Sequence, residues 1–293
     1  MQRDKWISEP VRSADSLSLP SFALPQLTCD THMHVFGPDS RYPAIEEPRY
    51  TLPPASLSQY LAMASRIGVK RMVFVQPSYY GTDNSCLLDA MAEIGERCRG
   101  VVFLPPAPPA SLLDRFTRCG VKGLRLDLFQ AQTTNAGLPE IRAMLKSSAD
   151  LARGLDWHIE LYAPGRLVRE LISYLADLNI DFIVNHMGYM TEQEGLSDAD
   201  FRQFVALAAA SEHCWVKLTA PYRIEKGGAR ADWMARELIA AAPSRMLWGT
   251  DWPHVMATDL DTAAILGRLE TWCPDQAVRD RILADNPARL YDF

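Results

Sequence analysis

The chain has 293 residues and a formal net charge of −6, with 48% hydrophobic and 23% charged residues, which is typical of a globular protein with a sizeable core. Its lysines and arginines are scattered, so it lacks the concentrated cationic surface that nucleic-acid binding needs. We expect a cytoplasmic protein with no membrane partner, because no stretch approaches the about 20 apolar residues of a span, no apolar signal segment precedes the first motif and the cysteines form no Cys-x-x-Cys pair.

In chain order, residues 1–26 are rich in serine, proline and charge, and we predict an N-terminal arm followed by one domain over 27–293. From Leu27 onward, short apolar runs alternate with segments of helical period. The predicted strands are Leu27–His34, Arg71–Gln76, Gly100–Leu104, Gly123–Leu128, Trp157–Tyr162, Phe182–His186, Cys214–Leu218 and Arg245–Gly249. The predicted helices include Leu57–Ile67, Asn84–Ile94, Leu112–Cys119, Ile141–Leu151, Leu167–Leu175, Phe201–Ala210 and Trp233–Ala240.

Eight strands that alternate with helices predict a single α/β domain, a (β/α)8 or TIM barrel, which commonly takes about 250 residues. An open doubly wound sheet is the alternative, but the first strand-to-helix turn lacks the glycine-rich phosphate-binding patterns of such folds. Three long loops, at 35–56, 187–200 and 221–232, each follow a predicted strand. We therefore expect all three at the rim where barrel enzymes hold their active sites.

The histidines are concentrated at one end of the predicted barrel. Of the six in the chain, four lie at or just after the C-terminal ends of strands: His32, His34, His186 and His254. His32 and His34 are two residues apart on one strand, so they face the same side, and strand ends converge at the barrel mouth. His158 begins its strand and His213 precedes one, so both are expected at the opposite end.

Asp251 follows the last strand in the segment Gly249-Thr250-Asp251-Trp252-Pro253-His254. It could cap the next helix, an interpretation that Pro253 supports. Beside histidines at the same rim, a carboxylate can instead take a proton from water and pass it to a leaving oxygen. We predict that Asp251 is a general base.

These motifs together resemble the amidohydrolase superfamily, and within it the branch of 2-pyrone-4,6-dicarboxylate lactonases. The resemblance covers the chain after residue 26 and extends to the segments 30–38, 75–84, 185–188 and 286–291. It implies a hydrolase that opens a small carboxylated lactone, such as a 2-pyrone, a muconolactone or a sugar-acid lactone. In that branch the residue matching Asp251 activates water, and those matching His32, His34 and His186 favour the charge that develops on the carbonyl oxygen.

The resemblance also implies substrate contacts. Arg125 and Arg223 match arginines that hold carboxylates, for which a guanidinium fork is suited, and Tyr162 matches a tyrosine of the pocket. The other predicted substrate contacts are Ser78, Tyr79, Tyr189 and His254, with Tyr80 and Tyr222 as further candidates. Tyr189 and Ala131 stand where the branch has arginines. We therefore expect a substrate with one fewer carboxylate, or a ring that is recognised through hydroxyl groups.

Metal-dependent members of the superfamily add a histidine on the fifth strand, where this chain has Tyr162 at the rim and His158 and Glu160 deeper. We therefore predict catalysis that requires no metal or other cofactor, because a lactone ester needs less Lewis-acid help than an amide. Zinc could still bind partially; its ligands would be His32, His34 and Asp251. A metal-dependent decarboxylase and a non-catalytic binding barrel are the alternatives. We expect a monomer or a small homo-oligomer.

Overall fold

The computed structural model describes residues 11–50, 55–129, 136–225, 228–255, 257 and 259–293. Its sheet has eight strands in sequential order, each parallel to the next. The strands are β1 Cys29–Met33, β2 Arg71–Val75, β3 Cys98–Val102, β4 Val121–Asp127, β5 His158–Tyr162, β6 Phe182–Val184, β7 Cys214–Leu218 and β8 Met246–Trp248. The predicted (β/α)8 barrel is confirmed.

The sheet is nearly closed, with β8 beside β1. The Thr31 hydroxyl donates a hydrogen bond to the Trp248 carbonyl at 2.8 Å, and Met33 forms a parallel bridge with Trp252 just beyond β8. A barrel of this kind brings the C-terminal ends of all the strands to one mouth.

Helices occupy the connections between strands. Those the structure describes are α1 Leu57–Ile67, α2 Ser85–Ile94, α3 Ala110–Arg118, α4 Leu138–Gly154, α5 Gly165–Ala176, α6 Asp198–Ala210, α7 Pro221–Ile224, α8 Ala229–Ala241, α9 Thr262–Trp272, α10 Gln276–Asp280 and α11 Asn286–Tyr291. Each predicted helix overlaps one of them. In the described ranges, every helix is too short or too polar to cross a lipid bilayer.

Helix α1 shows how local sequence sets these boundaries. Ser56 and Gln59 form a reciprocal capping box at its start, and Gly68 ends it in the left-handed conformation with a φ of 87°. Between them, residues such as Tyr60 and Ile67 recur at helical spacing and are fully buried against the barrel.

The apolar core has two parts. The larger part lies between the strands and the surrounding helices. A smaller cluster joins residues of six strands to Tyr291 of α11 and includes Val73, Val101, Trp215 and Leu247.

The described part of the predicted arm, residues 11–26, lies against α1 and α9. The Ser18 hydroxyl donates to Asp261, the N-cap of α9, at 2.8 Å, and Arg66 of α1 donates to the Leu17 carbonyl at 3.2 Å. Leu17 is buried, so this segment contributes an apolar contact as well as hydrogen bonds.

Candidate active site

The loops after β6 and β8 leave the barrel through backbone conformations that most residues avoid. His186, Asp251 and His254 have positive φ values of 53°, 57° and 58°. Such conformations cost about 1–3 kcal/mol each and persist where the surrounding contacts impose them, as at many functional sites. Here they bring the His186 and Asp251 side chains together with His32 and His34 at the end of β1.

Asp30 fixes this end of β1 against the loop after β8. Its Oδ1 accepts hydrogen bonds from the Thr250 and His32 amides at 2.8 and 3.1 Å, and its Oδ2 accepts from the Thr250 and Tyr60 hydroxyls at 2.6 and 3.1 Å. Gly249 permits the close approach, because a Cβ there would lie 2.7 Å from the His32 nitrogen. This local network sets the distance between His32 and Asp251.

Three imidazoles face one oxygen of Asp251. The Nε2 atoms of His32, His34 and His186 lie 3.6, 3.6 and 3.9 Å from Asp251 Oδ1. All four side chains are almost completely buried. The four residues that the sequence predicts as catalytic therefore form one cluster, although they lie at or after the ends of three separate strands.

The outer nitrogens of two of these histidines are fixed by neighbouring strands. His34 Nδ1 lies 2.7 Å from the Val75 carbonyl oxygen, which can only accept a hydrogen bond. His34 therefore carries its proton on Nδ1, and the lone pair on its Nε2 points toward Asp251. His186 Nδ1 lies 2.7 Å from the Thr219 hydroxyl, which can donate or accept. Burial lowers the pKa of both imidazoles, which keeps them neutral.

The second oxygen of Asp251 is held by α7. The Tyr222 hydroxyl donates to Oδ2 at 2.7 Å, and Arg223 donates from Nε at 3.0 Å with Nη2 at 2.9 Å. Burial alone would raise the pKa of Asp251, but Arg223 and then His186 outweigh burial and hold that pKa well below its usual range. Asp251 is therefore an oriented carboxylate at neutral pH. Arg223 is predicted from the sequence to bind substrate. In the structure, the edge of its guanidinium that carries Nε and Nη2 faces Asp251.

A buried ion pair lies beneath His32, and sequence reasoning did not predict its role. Lys217 of β7 donates to Glu160 Oε2 of β5 at 2.7 Å, and both side chains are fully buried. His32 Nδ1 lies 3.3 Å from Glu160 Oε1 and 3.3 Å from Lys217 Nζ. Burial and then Lys217 lower the pKa of His32 to about 3, although Glu160 opposes them, so this imidazole is neutral too.

Arg125 lies inside the barrel with Tyr162 beside it. Its guanidinium carbon is 4.8 Å from the centre of the Tyr162 ring, and the residue is 5% exposed. Its Nε and Nη1 atoms have no hydrogen-bond partner among the residues the structure describes. Tyr189 packs edge-on against His186, with ring centres 5.5 Å apart, and Tyr162 lies 6.0 Å from Tyr189. An unsatisfied guanidinium and two tyrosines thus border the catalytic cluster.

The predicted contacts on the loop after β2 occupy different surroundings. Ser78 and Arg125 line a cavity of about 770 Å³ that extends from the rim toward α4. This cavity is not lined by Asp251 or by the three histidines around it, so it adjoins the catalytic cluster rather than containing it. Tyr79 packs among aromatic rings, with Tyr50 stacked 5.8 Å away. Tyr80 is also packed, and its hydroxyl accepts from the Gly37 amide at 3.1 Å.

The remaining histidines divide as the sequence indicates. His254 lies at the mouth, with its Nε2 2.8 Å from the Thr262 hydroxyl and its ring 5.7 Å from Tyr222. His158 packs against Tyr291 at the far end of the barrel, and His213 contacts Asp181 on the outside. Ala131, where the related branch has an arginine, lies outside the described residues.

The cluster also suits a divalent cation. Ligand atoms of His32, His186 and Asp251 all lie within 4.8 Å of one another, and His34 Nε2 faces the same carboxylate oxygen. Imidazole nitrogens with one carboxylate oxygen form a donor set that zinc commonly takes. His32 Nε2 has no other hydrogen-bond partner within the described ranges. These residues therefore fit an ion sterically and chemically.

Similarity to known proteins agrees with this geometry. The chain is 33% identical over 290 residues to a 4-sulfomuconolactone hydrolase of Rhizobium radiobacter, with 96% of each chain covered. It is 29% identical to a 2-pyrone-4,6-dicarboxylate hydrolase of Comamonas testosteroni, over 98% of this chain and 94% of the relative. A crystal structure of a probable 2-pyrone-4,6-dicarboxylic acid hydrolase from Acinetobacter baumannii, with citric acid bound, superposes with a TM-score of 0.77 at 25% identity, covering 91% and 99% of the two chains.

The family model for amidohydrolases matches residues 29–293, which is nearly the whole chain and includes every residue of the cluster. The protein is therefore a member of the amidohydrolase family, a family of enzymes.

Proposed function

We propose that this protein hydrolyses a small carboxylated lactone with Asp251 as the general base. The observation that carries the proposal is the asymmetric environment of that carboxylate. Oδ2 is held by Tyr222 and Arg223, whereas Oδ1 faces three imidazole nitrogens at 3.6–3.9 Å. One oxygen is thus oriented by the protein and the other is presented to the mouth. The relatives named above, which are hydrolases of anionic lactones, support this substrate class.

In the proposed reaction, a water molecule that is hydrogen-bonded to Oδ1 on its side facing the mouth attacks the lactone carbonyl carbon. Asp251 takes one proton from that water as the new C–O bond forms, and the carbonyl electrons move to oxygen. When the tetrahedral intermediate collapses, the ring C–O bond breaks. The proton held by Asp251 passes to the departing ring oxygen. The products are a carboxylate and a hydroxyl or enol group on one open chain.

The tautomers suggest different roles for the three histidines. His34 presents a lone pair at Nε2, so while neutral it can accept a hydrogen bond from water but cannot donate one to a carbonyl oxygen. His186 can carry its proton on Nε2 when the Thr219 hydroxyl donates to Nδ1. We therefore assign the polarisation of the lactone carbonyl to His186 and the orientation of the attacking water to His34, while His32 Nε2 contacts the base itself, 3.6 Å from Asp251 Oδ1.

Arg125 is the proposed anion-binding residue. A buried guanidinium whose Nε and Nη1 have no partner among the described residues is costly in the free protein, and a substrate carboxylate that binds one edge of the guanidinium would satisfy one of these two nitrogens. Tyr162 stacks against this guanidinium and restricts its position. Arg223 is partly committed to Asp251, so a single carboxylate fork at Arg125 suits a substrate with fewer acidic groups than a dicarboxylate.

We further propose that hydrolysis requires no metal ion, although the cluster fits one. His32, His34, His186 and Asp251 would hold a divalent ion, which when bound would supply Lewis-acid polarisation. Two charges weaken such a site. Arg223 already pairs with Asp251, and the Lys217 ammonium lies 3.3 Å from His32 Nδ1. An added divalent charge would therefore find its single carboxylate ligand already neutralised.

The experiment that tests the function is a screen of mono- and dicarboxylated lactones with a pH indicator, because each turnover releases one proton. We expect at least one monocarboxylated muconolactone or sugar-acid lactone to be hydrolysed, and Asp251→Asn protein to be inactive on it. Release of carbon dioxide from an unsaturated acid, without lactone opening, would instead support a metal-dependent decarboxylase.

A cytoplasmic location is also proposed. All six cysteines are free, and five of them are buried, which suits a reducing compartment. Whether the protein acts as a monomer or a small homo-oligomer can be measured by light scattering.

A further inference from the structure

Three aromatic side chains contact one another at one side of the mouth. Tyr162 is the last residue of β5, Phe129 follows the end of β4, and Tyr189 lies on the loop after β6. The centre of the Phe129 ring lies 4.6 Å from that of Tyr162 and 5.4 Å from that of Tyr189. We call these three rings, Phe129, Tyr162 and Tyr189, the aromatic wall. The proposed reaction assigns no role to Phe129.

The aromatic wall is held in place by its surroundings. A Cβ at Gly165 of α5 would overlap the Tyr189 carbonyl oxygen, so the backbone of Tyr189 lies directly against this helix. Tyr189 also has a positive φ of 52°, and its hydroxyl forms a hydrogen bond with Tyr162. The Arg125 guanidinium lies over the Tyr162 ring, 4.8 Å from its centre. Rings fixed in this way lose little conformational freedom when a ligand binds against them.

The aromatic wall connects the two groups that hold the lactone in the proposed reaction. At one end, Tyr162 lies beside Arg125, the proposed carboxylate site. At the other end, the centres of the Tyr189 and Tyr162 rings lie 5.5 and 5.9 Å from that of His186, the proposed partner of the carbonyl oxygen. A lactone that reaches both His186 and Arg125 therefore lies across the wall.

The surface of the wall is largely apolar. All three side chains are half-buried, whereas the catalytic histidines are buried, so the described residues leave part of each ring accessible. The Tyr162 and Tyr189 side chains form a hydrogen bond with each other, and Phe129 has no polar side-chain atom. The wall therefore offers a neighbouring ligand mainly aromatic carbon.

Two cations of the rim already have carboxylate partners. Arg223 pairs with Asp251 at 2.9 Å, and Arg49 pairs with Asp127, the last residue of β4, at 3.4 Å. A second anionic group on the lactone would therefore compete with a carboxylate of the protein for either cation. An apolar group meets no such competition at the aromatic wall.

We propose that the aromatic wall selects lactones that carry one carboxylate and an apolar, aromatic substituent, and that Phe129 and Tyr189 determine this selection. The inference rests on the proposed function, which places the carbonyl and the carboxylate of the substrate at the two ends of the wall. Aromatic rings gain energy from edge-on and offset contacts with other rings, beyond the area that they bury. A charged substituent would instead lose water there without gaining a partner.

The first test compares three lactones that differ at one ring position: 2-pyrone-6-carboxylate, its 4-phenyl derivative and 2-pyrone-4,6-dicarboxylate. We expect kcat/KM to be about tenfold or more higher for the phenyl derivative than for the unsubstituted lactone, because one methylene group in an apolar pocket already discriminates by about that factor. The dicarboxylate should be the slowest. A phenyl derivative that gains less than about threefold, or a dicarboxylate that is hydrolysed fastest, would overturn the inference.

The variants Phe129→Leu and Tyr189→Leu each remove one ring and keep an apolar side chain. The measured quantity is the ratio of kcat/KM for the phenyl derivative to that for the unsubstituted lactone, because a loss of folded protein leaves this ratio unchanged. We expect each variant to lower it about threefold or more, as the ring contact is lost. The matched control is Tyr174→Leu, which removes a half-buried tyrosine on α5 whose hydroxyl donates to the Arg142 carbonyl, and it should keep the wild-type ratio. A wild-type ratio in both wall variants would contradict the inference.

Binding of compounds that contain no lactone separates this inference from the proposed function. 2-Furoate, 5-phenyl-2-furoate and 2,5-furandicarboxylate repeat the same comparison, and calorimetry measures their Kd without turnover. We expect 5-phenyl-2-furoate to bind about tenfold or more tightly than 2-furoate. If every lactone stays intact while the furoates bind in this order, the proposed function fails and the selectivity of the wall stands. If lactones are hydrolysed but the phenyl group improves neither rate nor binding, the inference fails alone.

Discussion

Replacement of Arg125 by methionine should have opposite effects on binding and on stability. The side chain is 5% exposed, and two of its three nitrogens lack a partner in the described part of the chain. In the free protein this is a desolvated group that is incompletely satisfied. In the complex, we propose, this guanidinium holds the carboxylate of the substrate.

The size of each effect follows from that environment. Removing one partner of a desolvated charge pair costs about 2–5 kcal/mol, so KM for a carboxylated lactone should rise about 30-fold or more. An unsatisfied buried polar group costs about 1–3 kcal/mol, part of which the contact with Tyr162 offsets, so the free energy of unfolding should rise by about 1 kcal/mol. That corresponds to an increase in Tm of about 1–3 °C.

The assays are Michaelis kinetics on the lactone found in the screen and thermal unfolding of the free protein. Arg236→Met, on the exposed side of α8, is the matched control and should change neither quantity. A KM within threefold of wild type would show that the substrate anion binds elsewhere. A loss of more than about 2 kcal/mol in stability would show that Arg125 is a structural residue.

Three further outcomes are expected. The pKa values of His32 and His254 are lowered by burial to about 3 and 4, and Arg223 holds that of Asp251 well below its usual range against burial, whereas burial raises the pKa of Asp30 to about 6. We therefore expect kcat/KM to be constant from pH 7 to 8 and to fall with a midpoint near pH 6, as protonation of Asp30 weakens the contact between β1 and the loop after β8; a change between pH 7 and 8 would implicate another titrating group. Exhaustive chelation should leave hydrolysis within about twofold, a change of under ~0.5 kcal/mol in the barrier, whereas activity restored in proportion to added zinc would make the ion essential. Gly249→Ala should destabilise the fold by about 1–3 kcal/mol and lower kcat, because the added Cβ would meet the His32 nitrogen at 2.7 Å; unchanged unfolding and turnover would refute the close contact between β1 and the loop after β8.

The fold could be predicted in detail because its strands are buried on both faces. Such strands are nearly continuous apolar runs, and all eight predicted strands overlap observed ones. Their ends were less accurate. The sixth was predicted to continue to His186 but ends at Val184, because His186 takes a left-handed conformation that ends strand pairing. Helix α1 was predicted with its observed bounds, since a capping box and a glycine mark its two ends.

The catalytic cluster could be predicted because the C-terminal ends of barrel strands meet at one mouth, wherever they lie in the sequence. The contacts beneath and around the cluster could not be predicted. They depend on the tilt and register of the strands, which decide which interior side chains meet. Glu160 and Lys217 join β5 and β7 across the interior to His32 of β1. The sequence did contain an indication of this pair, because Glu160 and Lys217 each place a charge within a largely apolar strand. The contacts of Arg223 and Tyr222 with Asp251 arise on a rim loop and left no comparable pattern.

The most direct test of Asp251 as the base is the turnover of Asp251→Asn protein. Asparagine keeps the size of the side chain and tolerates the positive φ of 57° at this position, but it cannot accept the proton from water. Asp114→Asn, on the exposed side of α3, is the control. We predict that Asp251→Asn protein folds as the wild type does and that its kcat is lower by about 10²–10⁴-fold, the usual contribution of a general base. Turnover close to that of the wild type in a folded Asp251→Asn protein would contradict the mechanism.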